Sequence, residues 1–124
     1  MRLLLDTHVV LLWGQGGAHL KAEARRRIAD ADEVYVSAAS AWEVAIKVSL
    51  GKLTVPGPLF ELVTSSGFSA LPVGFAHVEA LENLPPIHAD PFDRMLVAQA
   101  IVEGLHLVSR DRSLARYPAP IIGA

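Results

Sequence analysis

Four acids, Asp6, Glu43, Asp93 and Asp111, stand next to apolar runs, at places where strands should end or helices should begin. Carboxylates gathered in one place raise one another's pKa unless a cation meets them. The cations best suited to such hard oxygen ligands are Mg²⁺ and Mn²⁺. The chain has no Cys and no His pair at ligand spacing, so zinc lacks its preferred donors. Carboxylates that hold one or two divalent ions and leave room for water form a common site for phosphodiester hydrolysis. The residue types therefore point to metal-assisted hydrolysis.

The hydrophobic pattern supplies the elements that must carry these acids. Residues 2–6 read as a short buried strand ending in Asp6, and Thr7 opens a helix that the glycines at 14, 16 and 17 close. Residues 20–31 repeat apolar side chains every four residues with a basic outer face, and 33–37 form a strand. Residues 38–50 predict a helix covered by neighbours and stopped at Gly51. A short helix over 59–65, a strand over 68–73 and a helix over 75–84 follow, the last ended by Pro85 and Pro86. Pro91 suits the first position of a helix that runs to Gly104. A strand over 105–109, a turn of helix over 113–117 and an edge strand at 121–122 complete the chain. Alternating strands and helices predict one α/β domain over residues 1–124: three layers, α/β/α, around a mainly parallel sheet of about four to five strands.

In such a sheet the carboxyl ends of strands and the amino ends of the following helices share one edge, where ligands bind. From Asp93 to Gly104 a helix descends about 16 Å, and the strand over 105–109 climbs back about 16 Å. Asp93 and Asp111 should thus reach similar height. Asp93 shares a helical face with Val97, Ala100 and Ile101, and Glu43 one with Ala39, Trp42, Ile46 and Leu50. Plainer roles exist for each acid. Ser40 and Glu43 have capping-box spacing, Glu43 can pair with Lys47, Asp90 is a good N-cap, and Asp93 complements a helix dipole. Capping explains Asp90 fully, but caps do not require four acids to meet at one edge.

The sequence resembles the PIN-domain ribonucleases, and among them the toxins of VapBC-type toxin–antitoxin pairs. The resemblance rests on Leu-Leu-Leu-Asp-Thr-His at 3–8, Ser-Ala-Trp-Glu-Val-Ala-Ile-Lys at 40–47 with Gly51-Lys52-Leu53, His-Ala-Asp-Pro-Phe-Asp-Arg at 88–94 with Ala98-Gln99-Ala100, and Leu-Val-Ser-Arg-Asp at 107–111. The family's acidic quartet falls on Asp6, Glu43, Asp93 and Asp111 with no gap. The resemblance implies an endoribonuclease that cuts RNA, often tRNA or rRNA, using Mg²⁺ or Mn²⁺ and a water nucleophile. It also implies a cognate antitoxin that shields the acidic edge, a homodimer and a cytoplasmic setting. Asp6 and Asp93 would be the most direct ligands, with Glu43 and Asp111 completing the shell or orienting water.

Thr7 and Ser109 adjoin the acids and could hydrogen-bond them or a phosphate. Arg94 and Arg110 lie by the same edge and could grip RNA phosphates, whereas Arg112 reads as solvated. His8 and His88 are read as structural. Trp13 and Trp42 stand at helical spacing among apolar neighbours and are read as core. Two other classes compete. Against a Mg²⁺-dependent phosphatase or phosphoacceptor domain, Asp6 lacks the second aspartate two residues later that many such phosphatases show, since His8 stands there, and Glu43 has no role. A non-catalytic protein-interaction module would use the acids as caps alone.

Composition sets the outer bounds. The chain has 124 residues with 52% hydrophobic and 19% charged, which excludes disorder. No apolar run reaches the length of a signal or membrane segment, and the lack of Cys excludes a disulfide scaffold and suits a reducing compartment. The formal charge of −2 disfavours a simple basic nucleic-acid binder. Without the quartet, however, bases outnumber acids, so the mild acidity reads as the signature of an unloaded metal site.

Overall fold

The computed structural model describes residues 1–124. Strand β1 (Arg2–Leu5) is followed by α1 (Thr7–Gly14), α2 (Ala22–Asp30), β2 (Glu33–Ser37), α3 (Ala38–Ser49) and α4 (Leu59–Ser65). Then come β3 (Ser69–Leu71), α5 (Phe75–Leu81), α6 (Pro91–Glu103), β4 (His106–Ser109), a 3₁₀ turn (Arg112–Arg116) and β5 (Ile121–Gly123). The five strands form one sheet in the order β3-β2-β1-β4-β5, and every pairing is parallel. This is the expected α/β/α fold, with the sheet wholly rather than mainly parallel.

The three leucines of β1 suit a central parallel strand covered on both faces. Leu3 and Leu5 pack with α1, α2 and α4 on one side. Leu4 points the other way, into a second core built from Leu96, Val97 and Ala100 of α6 with Leu107, Leu114 and Tyr117. No helix is long and apolar enough to cross a membrane.

Chain order reverses at β1: β2 and β3 lie on one side of it, β4 and β5 on the other. The switch point of such a sheet leaves a crevice at the carboxyl ends of its strands. The register levels those ends, since Leu5 sits beside both Val36 of β2 and Val108 of β4. The next residues, Asp6, Ser37 and Ser109, therefore form a row along one edge.

Helix α2 begins at Ala22 rather than at residue 20, and two elements end well before the sequence predicts. Strand β3 stops at Leu71 because Pro72 brings no N–H to the ladder. Helix α5 stops at Leu81, after which Glu82, Asn83 and Leu84 bond to carbonyls only three residues back, a 3₁₀ tightening ahead of Pro85.

Helix α3 departs further from expectation. It buries only Ala39, Ser40, Glu43 and Val44, while Trp42 is 65% exposed and Val48 and Leu50 are also open. The inward stripe is narrow and made of small or polar side chains, which turns the larger apolar ones outwards. Trp42 is thus a surface residue, its ring edge-on to Phe92 with centroids 5.1 Å apart. Glu43 shares the buried side with Ala39 but not with Trp42 or Leu50. Trp13 keeps to the core, tilted against Phe68 with ring centroids 5.7 Å apart.

Candidate active site

Asp6 ends β1 and caps α1. Its Oδ1 accepts from Val9 N–H at 2.8 Å, and its Oδ2 accepts from the Ser109 hydroxyl at 2.5 Å. The carboxylate is buried, and that burial pushes it above the usual range against the pull of both hydrogen bonds. Thr7, one residue on, donates to Glu43 Oε1 at 2.7 Å and lies 3.0 Å from the Ser40 hydroxyl. Lys47 donates to Glu43 Oε2 at 2.8 Å, one helical turn along α3, and this bond holds the ammonium above its ordinary value. The capping box expected from Ser40 and Glu43 does not form. Ser37 caps α3 through Ala39 N–H, which places Ser40 inside the helix and frees Glu43 to face Thr7.

Asp90 caps α6, accepting from Phe92 N–H at 2.8 Å and Asp93 N–H at 3.0 Å. This fixes Asp93 in the first turn, pointing at the same edge. Its neighbour in space is His88 Nε2 at 3.5 Å, beyond hydrogen-bond reach, so the Asp93 carboxylate accepts no hydrogen bond. Burial first, then repulsion from Asp90, Asp6 and Glu43 against the pull of His88, pushes its pKa up to about 6. Asp111 behaves oppositely. The Ser113 hydroxyl and N–H both donate to its Oδ1, at 2.7 and 2.9 Å, and with His88 they hold it below the usual carboxylate range.

Asp6, Glu43, Asp93 and Asp111 line one cleft of about 460 Å³, together with Thr7, Asp90 and Arg110. At its edge the ligand atoms of Asp93 and Asp111 lie within 4.8 Å of one another and of His88; Asp6 and Glu43 line the cleft outside that group.

His88 is the residue that sequence reasoning undervalued. Its Nε2 is 2.7 Å from Asp111 Oδ2, and its Nδ1 accepts from Asp90 N–H at 3.0 Å. A nitrogen that accepts cannot carry the proton, so the Nε2 bears it and donates to Asp111. The signal was present in the sequence. His88 lies between the prolines that stop α5 and the Asp90-Pro91 start of α6, and a loop of that length must reach the edge where Asp90 caps.

Arg94 corrects another expectation. Its guanidinium donates to Pro85 O at 2.9 Å, to the Tyr117 hydroxyl at 3.1 Å and to Leu81 O at 3.4 Å. It ties the 82–90 loop to α6 and does not line the acid cleft. Ser109 and Thr7 are engaged with the acids, whereas Arg110 is exposed on the cleft wall.

The donor set fits a hard divalent cation. It offers carboxylate oxygens from four residues, no thiolate, and one carboxylate that lacks any hydrogen-bond donor among others that repel it. Fold and site together define a doubly wound α/β protein with an acidic cleft at the switch point of its sheet. The PIN-domain family model matches residues 3–120, and the chain belongs to that family.

It is 34% identical to Ribonuclease VapC22 of Mycobacterium tuberculosis, over 96% of this chain and 95% of that protein. Among solved structures it is similar to VapBC2 of Rickettsia felis bound to a promoter DNA fragment, with a TM-score of 0.75, 13% identity and coverage of 99% and 98% of the two chains. It also resembles DNA-bound VapBC of Salmonella typhimurium, with a TM-score of 0.71, 17% identity and coverage of 99% and 98%. FitAcB of Neisseria gonorrhoeae gives a TM-score of 0.65 at 16% identity, covering 98% and 96%.

Proposed function

We propose that this chain is a divalent-metal-dependent endoribonuclease, the toxin of a type II toxin–antitoxin module, that hydrolyses RNA phosphodiester bonds in the cytoplasm. The observation that carries this reading is Asp93: a half-buried carboxylate without a hydrogen-bond donor, facing Asp6, Glu43 and Asp111 across one cleft. A protein that used these acids only as caps would not leave one of them in such a setting.

Asp6, Glu43, Asp93 and Asp111 would hold Mg²⁺ or Mn²⁺, which supplies Lewis-acid polarisation of the phosphate and a nucleophilic water near neutral pH. The chain's own residues prepare that site. Ser109 and Val9 N–H fix Asp6 in one rotamer, and Thr7 and Lys47 hold the two oxygens of Glu43. The His88 Nε2–H orients Asp111, and Arg110 presents a cation to the incoming backbone. We assign tRNA or rRNA as the substrate class and a cognate antitoxin as the partner that covers the cleft, with a homodimer as the working unit.

The test is cleavage of tRNA and rRNA by the purified protein with Mn²⁺ or Mg²⁺, followed by sequencing of the cut ends. EDTA and Asp93→Asn should each abolish cleavage while circular dichroism stays native. Undiminished cutting in EDTA would overturn the reading.

A further inference from the structure

Beside the acid cleft, and sharing Arg110 and Asp111 with it, lies a second concavity of about 540 Å³ whose lining also includes His19, Lys21 and Arg112. Its charge is unusual for this protein. Of the 11 Lys and Arg residues, Arg2, Arg26, Arg27 and Lys47 are paired with acids. Arg25 and Arg94 are bound to backbone carbonyls. Of those that remain, Lys21, Arg110 and Arg112 all line this concavity. Its acid, Asp111, is already engaged by Ser113 and His88.

Lys21 also sits at an unusual place for a lysine. It is the N-cap of α2, and no side chain accepts from the first-turn N–H groups. Ser, Thr, Asp or Asn normally fills that position, and an ammonium there opposes the positive end of the helix dipole. The residue is nonetheless held in place. Its N–H donates to Ala124 O at 3.1 Å, and its Nζ lies 3.7 Å from where a Cβ on Gly123 would stand. The ammonium therefore folds over the end of β5, towards the concavity. Three cations lining one space, none of them in an ion pair, repel one another and favour an anion there.

Resting on the ribonuclease reading, we propose that Lys21, Arg110 and Arg112 hold a backbone phosphate of the RNA strand next to the one being hydrolysed. The shared wall formed by Arg110 and Asp111 makes the two sites continuous. The subsite supplies the attraction that the acid cleft cannot, since five acids line that cleft and repel a polyanion.

The experiment uses the Asp93→Asn protein without metal, so that RNA binds uncut, and measures affinity for a single-stranded RNA over a salt series. Adding Lys21→Ala with Arg112→Ala should weaken binding about 10-fold or more, and should lower the salt slope by about 0.7 for each phosphate no longer neutralised. Arg26→Ala with Arg27→Ala removes the same charge from the exposed side of α2 and should leave the slope unchanged. In the otherwise native enzyme with Mn²⁺, the Lys21/Arg112 pair should raise KM and leave kcat within about twofold. Equal behaviour of the two pairs in slope and KM would overturn the subsite, as would failure of the Asp93→Asn protein to bind RNA. If the native enzyme cut no RNA while the Lys21/Arg112 pair still lowered the salt slope, the phosphate site would stand and the ribonuclease reading would fall.

Discussion

The Ser109 hydroxyl donates to Asp6 Oδ2 at 2.5 Å, joining residues 103 positions apart at the ends of neighbouring strands. The bond follows from register: Leu5 pairs with Val108, so the residues that follow must lie side by side. Both are buried, and the serine is what makes a buried carboxylate tolerable there.

Ser109→Ala should therefore destabilise the metal-free protein by about 1–3 kcal/mol, the range for a buried acceptor left unsatisfied. Urea unfolding measures this. Metal-dependent activity should fall as well, because Asp6 loses one of the two bonds that fix its rotamer. A change under a few tenths of a kcal/mol would mean that Asp6 finds another donor.

Asp93 should make stability fall as pH rises. Its folded pKa, about 6, lies above the unfolded value of about 3.9, so the folded state binds the extra proton. Stabilisation from that proton is complete below about pH 4 and is lost as pH passes 6. The magnitude is about 1–3 kcal/mol, kept low because the group is only half-buried. Asp93→Asn should abolish cleavage yet raise the metal-free melting temperature at pH 7.5, and Mn²⁺ should no longer raise it further. Melts at pH 4.5 and 7.5 with and without Mn²⁺ read all three effects.

His88 should act as a donor to Asp111 and not as a metal ligand, because its Nε2 carries the proton. His88→Gln should leave Mn²⁺ affinity within a few-fold by calorimetry and slow cleavage by about 10-fold or more, in line with loss of a positioning group. A drop in Mn²⁺ affinity beyond about 100-fold would make the imidazole a ligand.

Arg94→Ala should lower stability by about 1.5–3 kcal/mol, the range for a charged hydrogen-bond donor, with KM for RNA unchanged. Chemical denaturation and steady-state kinetics separate the two. A raised KM with native stability would return Arg94 to the substrate.

Nearly all the helices and strands were legible in the sequence, because the apolar periods are long and Gly104, Pro91 and Gly51 punctuate them. The four acids were legible for a related reason. In a parallel sheet, an acid just after a strand or at the start of a helix has only one edge to occupy. What could not be read was which face of a short helix turns outwards. The apolar side chains of α3 are spread widely enough to suggest full coverage, and only packing against α1 and α6 selects the stripe through Glu43 and exposes Trp42. His88 and Arg94 escaped for another reason. Both lie at the loop before α6 or bind to it, and a partner such as Tyr117 or Pro85 O is set by tertiary geometry that no local pattern encodes.

The strand order has a consequence for synthesis on the ribosome. Strand β1 is made first, but one of its two neighbours is β4, residues His106–Ser109. Until that segment leaves the exit tunnel, Asp6 has neither Ser109 beside it nor Asp111 across from it. The acid cleft therefore cannot form until residues 106–111 have joined the sheet beside β1.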